Sequence, residues 1–440
     1  MHEIAGWGRY PVVQGYERLS ENLEDITQDA LLVRGLGRSY GDASLPPLDG
    51  QSVANSTLAD RLIAFDPNTG VLRAEAGLSL LDLNRLFWQR SWATPVSPGT
   101  QYVTLGGMVA SDVHGKNHHI QGCFGEHVRA LRMRVADGRV LPVTEDTEPE
   151  LFRATLGGMG LTGHILEVEV QLEAIPSTWI WGESEQVFSL NELLANLSRS
   201  SETWPFTMSW LDSSKRGAQM GRGIVMRGRW AEPHEAPPDP PTPHAGPTVL
   251  RDFPSWAVNS FSIKAFNSAY FHKHGRKLKQ GVINPWKFFY PLDSIGSWNR
   301  IYGRRGFAQY QCVLPVENGA NVIHRFFEVM TSRGGASFLT VLKDCGAEGK
   351  GMLSFPKPGI SIALDIPMRV GTTQTLTDAL NEVVIPAGGR IYLTKDALTR
   401  PDHFRAMEPR LDAWNAVRKK WDPDGKIRSA QSVRLFGDEA

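Results

Sequence analysis

Cysteine is scarce: Cys123, Cys312 and Cys345 are the only three in 440 residues. Three cannot build a disulfide framework, and their spacing is not that of a zinc ribbon. Net charge is absent, with 47 Lys and Arg against 47 Asp and Glu. This argues against a whole-molecule electrostatic nucleic-acid binder and leaves room only for a local patch. No run approaches the roughly 18 apolar residues of a spanning helix. The opening MHEIAGWGRYPVVQGYERLS has neither a basic n-region nor an apolar h-region, so no signal peptide is expected. No internal repeat is visible. Low complexity is confined to Pro233 through Pro247, with seven prolines in fifteen residues. Such a stretch neither continues a helix nor joins a ladder, which predicts an exposed, mobile loop over 231–250.

What is present is a globular composition, 41% hydrophobic and 21% charged, enough for two or three units of about 150 residues. Up to about residue 175, short β-type runs alternate with helical ones. Ala30 to Gly37 reads as a strand entering a glycine turn. Hairpins are expected at Asn68-Thr69-Gly70 and Asp137-Gly138. Ser79 and Asp82 form a capping signal before the helical run that follows. Gly160 to Ile175 reads as one long strand with period two. Near the other end, Phe404, Met407, Leu411, Trp414, Val417 and Trp421 recur at steps of three and four, an amphipathic face that Pro409 divides into two helices. The fold class is α+β.

Three small-residue loops stand out. Arg34-Gly35-Leu36-Gly37-Arg38-Ser39-Tyr40-Gly41-Asp42 follows a strand directly and lets backbone N–H groups converge on an anion such as a diphosphate. Its third glycine comes one residue late for the Rossmann fingerprint, so a nicotinamide site is disfavoured. The second loop runs from Pro98-Gly99-Thr100 through Thr104, Leu105, Gly106, Gly107, Ser111, Asp112, Val113, His114 and Gly115. The third is Leu156 to Gly163, with Gly160 inside it. Together they suggest a backbone wrapped around one large phosphate-bearing cofactor. His114 and His118 with Cys123 and His127 invite a metal reading, but flanking glycines argue against a helix presenting the pair, and no metal is expected. Lys343 and Lys395 sit in apolar, strand-like runs, where a lysine is ordinarily a snorkelling surface residue.

These motifs, with Lys116-Asn117-His118-His119 and Phe124-Gly125-Glu126-His127-Val128-Arg129, resemble the vanillyl-alcohol-oxidase-type (PCMH) flavoproteins. Within them the chain is most similar to the decaprenylphosphoryl-β-D-ribose 2-oxidase branch, the flavin half of an epimerase that supplies arabinose donors for cell envelopes. The resemblance runs from Gly6-Trp7-Gly8-Arg9 to Arg434-Leu435 and so covers nearly the whole chain. It implies a split FAD-binding domain (1–175), an antiparallel-sheet cap (176–390) and a segment returning to the flavin (391–440). It implies FAD held by residues 34–42, by Gly99, Thr104 to Gly107 and Ser111 to His114, and by Gly160, Gly163, Ile165 and Tyr392. Where many relatives carry a flavin-linked histidine in the first loop this chain has Arg38, so a dissociable FAD is expected.

By the same similarity, Lys395 lies beside flavin and sugar, and Lys343 near the substrate's phosphate or hydroxyls. Lys116, Trp210, Gln309, Gln311, Ala363 and Asp365 join the substrate site. Ala363 replaces a cysteine that captures nitro-aromatic inhibitors in the mycobacterial branch, so no covalent capture is expected there. His114 and Lys395 both remain candidates for the general base. The implied reaction oxidises the ribose 2-hydroxyl of a polyprenyl-phosphoryl-β-D-ribose to a ketone. A separate NAD(P)H-dependent keto-reductase would complete the epimerisation, and quinone or oxygen would take the electrons. An oxidase of soluble alditols or aldonolactones is the alternative. From Arg251 to Tyr290, seven basic residues and ten aromatics accompany one acid, Asp252. That mixture suits peripheral contact with an anionic membrane, or the core of the cap; nucleic acid is not expected. The location is expected to be cytoplasmic or periplasmic.

Overall fold

The computed structural model describes residues 1–243, 246–254 and 256–440. Besides one two-stranded ladder, its first 175 residues build two sheets. In the smaller, His2–Ala5 pairs antiparallel with Val12–Leu19, which runs parallel to Ser52–Asn55 and through it to Val33–Arg34. The larger is antiparallel in the order Leu62–Asp66, Val71–Glu75, His164–Gln171, Val128–Arg134, Val140–Thr144. Both expected hairpins form. At the first, the Asp66 carboxylate accepts from the Asn68 backbone and the Thr69 hydroxyl. At the second, Gly138 takes the positive φ (91°) that the turn needs. Ser79 caps the helix Leu80–Phe87 by accepting from the Asp82 N–H at 3.1 Å.

One expectation changes. The long strand predicted to run on to Ile175 stops at Gln171, and Glu173–Ala174 leaves to pair with Trp92–Ala93. Two register shifts against Val128–Arg134 accompany the break, because each bulge adds twist that carries the strand end away from its sheet.

After Ile180 the chain enters one eight-stranded antiparallel sheet. Its order is Lys279–Ile283, Ile180–Val187, Gly223–Trp230, Phe206–Leu211, Thr340–Cys345, Gly359–Pro367, Phe307–Pro315, Arg390–Ile391. The helices Leu190–Ser201, Gly319–Ser332 and Thr372–Val384 cover one face. Strand periodicity then divides the residues. Tyr310, Cys312, Leu342, Ile362 and Leu364 enter the helix-side core, while their neighbours Gln309, Gln311, Val341, Lys343 and Ala363 line a cleft on the opposite face. Every residue of Phe307–Pro315 is buried as a result.

Pro401–Met407 and Leu411–Trp421 form the two helices that Pro409 separates. Trp414 is fully buried and donates its indole N–H to the Ala154 carbonyl at 2.9 Å. Ala430–Phe436 follows, with a reciprocal Ser429–Ser432 cap.

The proline-rich loop includes His244 and Ala245, which lie outside the described residues. Its described part is tied at Glu235 to Arg229, at the Asp239 carbonyl to Trp179, and at the Thr242 carbonyl to Asn284. The basic aromatic segment divides into two halves. Phe271, Trp286, Phe288, Phe289 and Tyr290 are core, whereas Phe253, Trp256, Phe261, Phe266 and Tyr270 are exposed.

Candidate active site

The cleft lies between the glycine loops and the free face of the eight-stranded sheet, with about 1730 Å³ counted out to its mouth. Gly35, Leu36, Gly37, Arg38, Ser39 and Tyr40 form one edge, and Gly99, Thr104, Gly107, Ser111, Val113 and His114 continue it. Among the described residues, the backbone N–H groups of Leu36, Gly37, Arg38 and Ser39 meet no protein acceptor. A Cβ at Gly99 would touch nothing within 4 Å, and one at Gly107 would meet only the Thr104 hydroxyl. Side chains at these two positions would fill the cleft, so glycine keeps the backbone open to a ligand.

The far wall follows from strand register. Gln311 stands opposite Ala363, which stands opposite Val341; Lys343 is opposite Ser361, and Gln309 opposite Asp365. Tyr392 closes one end, donating its hydroxyl to the Ser111 carbonyl at 2.9 Å. Lys395 is not on a strand as expected but on the single turn Leu393–Lys395, its Nζ 3.9 Å from the centre of the Tyr40 ring. Neither Lys343 nor Lys395 snorkels to the surface. Both line the cleft.

Electrostatics set this cleft apart. Burial pushes Lys395 and Lys116 down to about 7 and lowers Lys343 as well. Lys116 Nζ donates to the Phe289 carbonyl at 2.8 Å. Burial holds Asp293 and Asp365 up at about 6. Asp293 accepts from the Gln101 N–H and the Thr100 hydroxyl, and Asp365 from Gln309 Nε2 (2.6 Å) and the Tyr302 hydroxyl. His114 is held neutral, well below its usual range, by burial and by the neighbouring Lys343, His118 and Lys395. Gln311 Nε2 donates to His114 Nε2 at 3.0 Å, which places the remaining imidazole proton on Nδ1, an atom with no protein partner.

Several residues expected at the site stand behind its walls. Arg34 donates to Ser44 and the Ala5 carbonyl. Gly41 is pressed against the Asp396 carbonyl, and Asp42 pairs with Arg434. Asp112 accepts from the Gly125 N–H and Ser354. Leu105 and Ile165 are core, and Gly106 packs on Ala76. Gly160 and Gly163 lie in the turn before His164–Gln171, also outside the cleft lining. Trp210 donates to the Phe338 carbonyl, and Asp365 sits behind Gln309. Of the residues weighed and rejected as metal ligands, His118 Nε2 lies 3.5 Å from Cys123 Sγ while His127 bonds the Gln121 carbonyl. The cleft also brings in Tyr102, Met159, Met208, Asp293 and Trp298. Asp293 carried no local signal, because its partners lie 192 and 193 residues earlier.

Residues 19–144 match the FAD binding domain family. Over 98% of its length the chain is 34% identical to decaprenylphosphoryl-β-D-ribose oxidase of Mycolicibacterium smegmatis, spanning 97% of that protein. The chain belongs to the decaprenylphosphoryl-β-D-ribose oxidase family. It is an FAD-dependent oxidoreductase. An uncharacterised protein of Streptomyces coelicolor is 31% identical over 81% of this chain and 100% of its own length. Mouse L-gulonolactone oxidase is 27% identical over only 42% of it. The residues of this oxidase fit the cofactor: four successive backbone N–H groups without a protein acceptor suit a diphosphate, and the bare backbone of Gly99 and Gly107 leaves space in the same cleft.

Proposed function

We propose that this oxidase takes a polyprenyl-phosphoryl-β-D-ribose and oxidises its 2-hydroxyl to the ketone. The observation that carries the reading is the excess of basic groups lining the cleft. Lys116, Lys343 and Lys395 line it, with Asp293 the one carboxyl among the lining residues. Amines whose pKa values burial has lowered await a ligand that brings negative charge, and a phosphoryl sugar does so where a neutral alditol does not. Catalytic roles go to Lys395, His114 and Lys343. FAD, when bound, supplies the hydride acceptor. Lys343 and Lys116 hold the phosphate. The Lys395 amine, unprotonated above about 7, takes the hydroxyl proton. His114, with Nε2 engaged by Gln311, donates from Nδ1 rather than serving as base.

The cofactor is bound without a covalent link. Arg38 stands where relatives carry the linking histidine, and its guanidinium is stacked 4.0 Å from the centre of the Trp7 ring. An anaerobic spectrum tests both points. Prenyl-phosphoryl ribose should bleach the flavin bands, and acid precipitation should release the yellow chromophore. Bleaching by a soluble polyol alone would overturn the substrate, and yellow protein in the acid pellet would overturn non-covalent binding. Proton linkage gives a second check. A bound phosphate raises the depressed amines, so between about pH 7 and 10 substrate binding takes up protons. Binding enthalpy measured in two buffers at pH 8 should rise with buffer ionisation enthalpy, and no slope would count against the phosphate contact.

The reading extends to a peripheral membrane contact, with a nicotinamide-dependent keto-reductase consuming the product and quinone or oxygen reoxidising the flavin. Among the described residues no helix is long and apolar enough to cross a membrane. The helix Ser260–His274 packs with Phe266 against Phe338 and Tyr270 against Trp210. It presents Phe261 at 79% exposure, beside Trp256 at 77%. Lys273, Arg276, Lys277 and Lys279 are exposed at its end. Each basic residue near an anionic surface contributes about 1 kcal/mol. Flotation with anionic liposomes should recover the protein, and neutralising these four should lower recovery at least tenfold. Equal recovery by both proteins would remove the membrane from the reading.

A further inference from the structure

We propose that Arg434 is a positioning residue for Lys395, clamping the turn that carries this lysine to the glycine loop that carries Tyr40. The inference rests on the reading that Lys395 serves the oxidation. Arg434 Nε and Nη2 donate to the two Asp42 carboxylate oxygens at 2.7 and 2.8 Å. Nη2 also stands 2.8 Å from Asp396 Oδ2, and Nη1 donates to the Thr399 carbonyl at 2.6 Å. One guanidinium thus joins the residue two beyond Tyr40 to the residue after Lys395. Asp396 is committed on its other oxygen, which accepts from the Leu398 and Thr399 N–H groups.

The two segments meet with no slack. Tyr40 N donates to the Thr394 carbonyl at 2.8 Å, and a Cβ on Gly41 would stand 2.0 Å from the Asp396 carbonyl oxygen. The helix bearing Arg434 braces both sides. Gln431 Nε2 donates to the Leu393 carbonyl, and Ala430 N to that of Leu45. The outcome of this bracing is the Lys395 amine over the Tyr40 ring, with Asp365 and Lys343 as its charged neighbours. A planar five-donor fork fits these partners at once, and a lysine ammonium does not.

The experiment uses flavin-loaded enzyme with Arg434→Gln, Arg434→Lys and Asp396→Asn. The last removes the ion pair from the turn side while keeping the oxygen that caps Leu398 and Thr399. Lys395 acetylation by acetic anhydride, followed by mass spectrometry against pH, reports the amine's titration midpoint without turnover. In Arg434→Gln and Asp396→Asn the midpoint should rise by at least one unit towards that of a free lysine. Flavin reduction per bound FAD should fall at least tenfold with substrate affinity within threefold, and Arg434→Lys should recover only part of it. Folded variants that keep the wild-type midpoint and reduction rate would overturn the proposal. If Arg434→Gln does not fold, the midpoint in Asp396→Asn decides alone. Wild-type flavin that prenyl-phosphoryl ribose fails to bleach would instead sink the functional reading, and the acetylation midpoints would still judge Arg434.

Discussion

Lys395→Met is expected to slow anaerobic flavin reduction by 10²–10⁴-fold, the range a positioned general base contributes. Burial, opposed by Asp365 and reinforced by Lys343, holds this amine at about 7, where an ordinary lysine would stay protonated. A base must be unprotonated to act. The wild-type rate should therefore fall about tenfold per pH unit below 7 and level off above it. The methionine variant should lose that limb along with the rate. Stopped-flow reduction between pH 5.5 and 9 separates the cases. A variant that is slow but keeps the same limb would hand the proton to another group, and a variant at full rate would remove Lys395 from the chemistry.

Asp212→Ala should cost about 3–5 kcal/mol of stability, the loss on stripping one partner from a buried ion pair. Asp212 is inaccessible and Arg222 is 6% exposed. Two guanidinium nitrogens donate to one Asp212 oxygen at 2.9 and 2.7 Å, and the other oxygen accepts from Asn267 Nδ2 and from Ser214. Removing the carboxylate leaves Arg222 charged over the Phe271 ring and takes away one of the two acceptors that hold Asn267 of the Ser260–His274 helix. Asp212→Asn keeps acceptors in place and should cost less. Urea unfolding at fixed FAD concentration reads both variants. A loss below about 1 kcal/mol in the alanine variant would mean that water reaches the arginine as soon as its partner goes.

Local chemistry was legible wherever a short stretch decides its own conformation. The Asn68 and Asp137 turns, the Ser79 cap and the division of the last amphipathic stretch at Pro409 each depend on neighbours a few residues away, and each stands in the structure. The α+β class followed from the alternation of strand-like and helical runs, and the FAD family from the resemblance. Partners far along the chain were not legible. Asp42 reads as one more residue of a phosphate loop, yet its carboxylate belongs to Arg434. Lys395 reads as strand, but Tyr40 and Arg434 hold its segment as a single turn. The basic aromatic segment looked uniform. The core claims its second half because Phe206, Trp88 and Trp230 wait for Phe289.

The clasp between Asp42 and Arg434 spans 392 residues, and this distance orders events during synthesis. Residues emerge from the ribosome at about 5–20 per second, so the glycine loop is exposed for at least about twenty seconds before Arg434 is made. Until then nothing clasps that loop to the wall that carries Lys395. The first sheet can fold early, but a nascent chain should not hold flavin tightly. Cofactor retention thereby becomes a sign that translation has passed the last helix, and chains interrupted before it remain distinguishable from finished enzyme by their lack of colour.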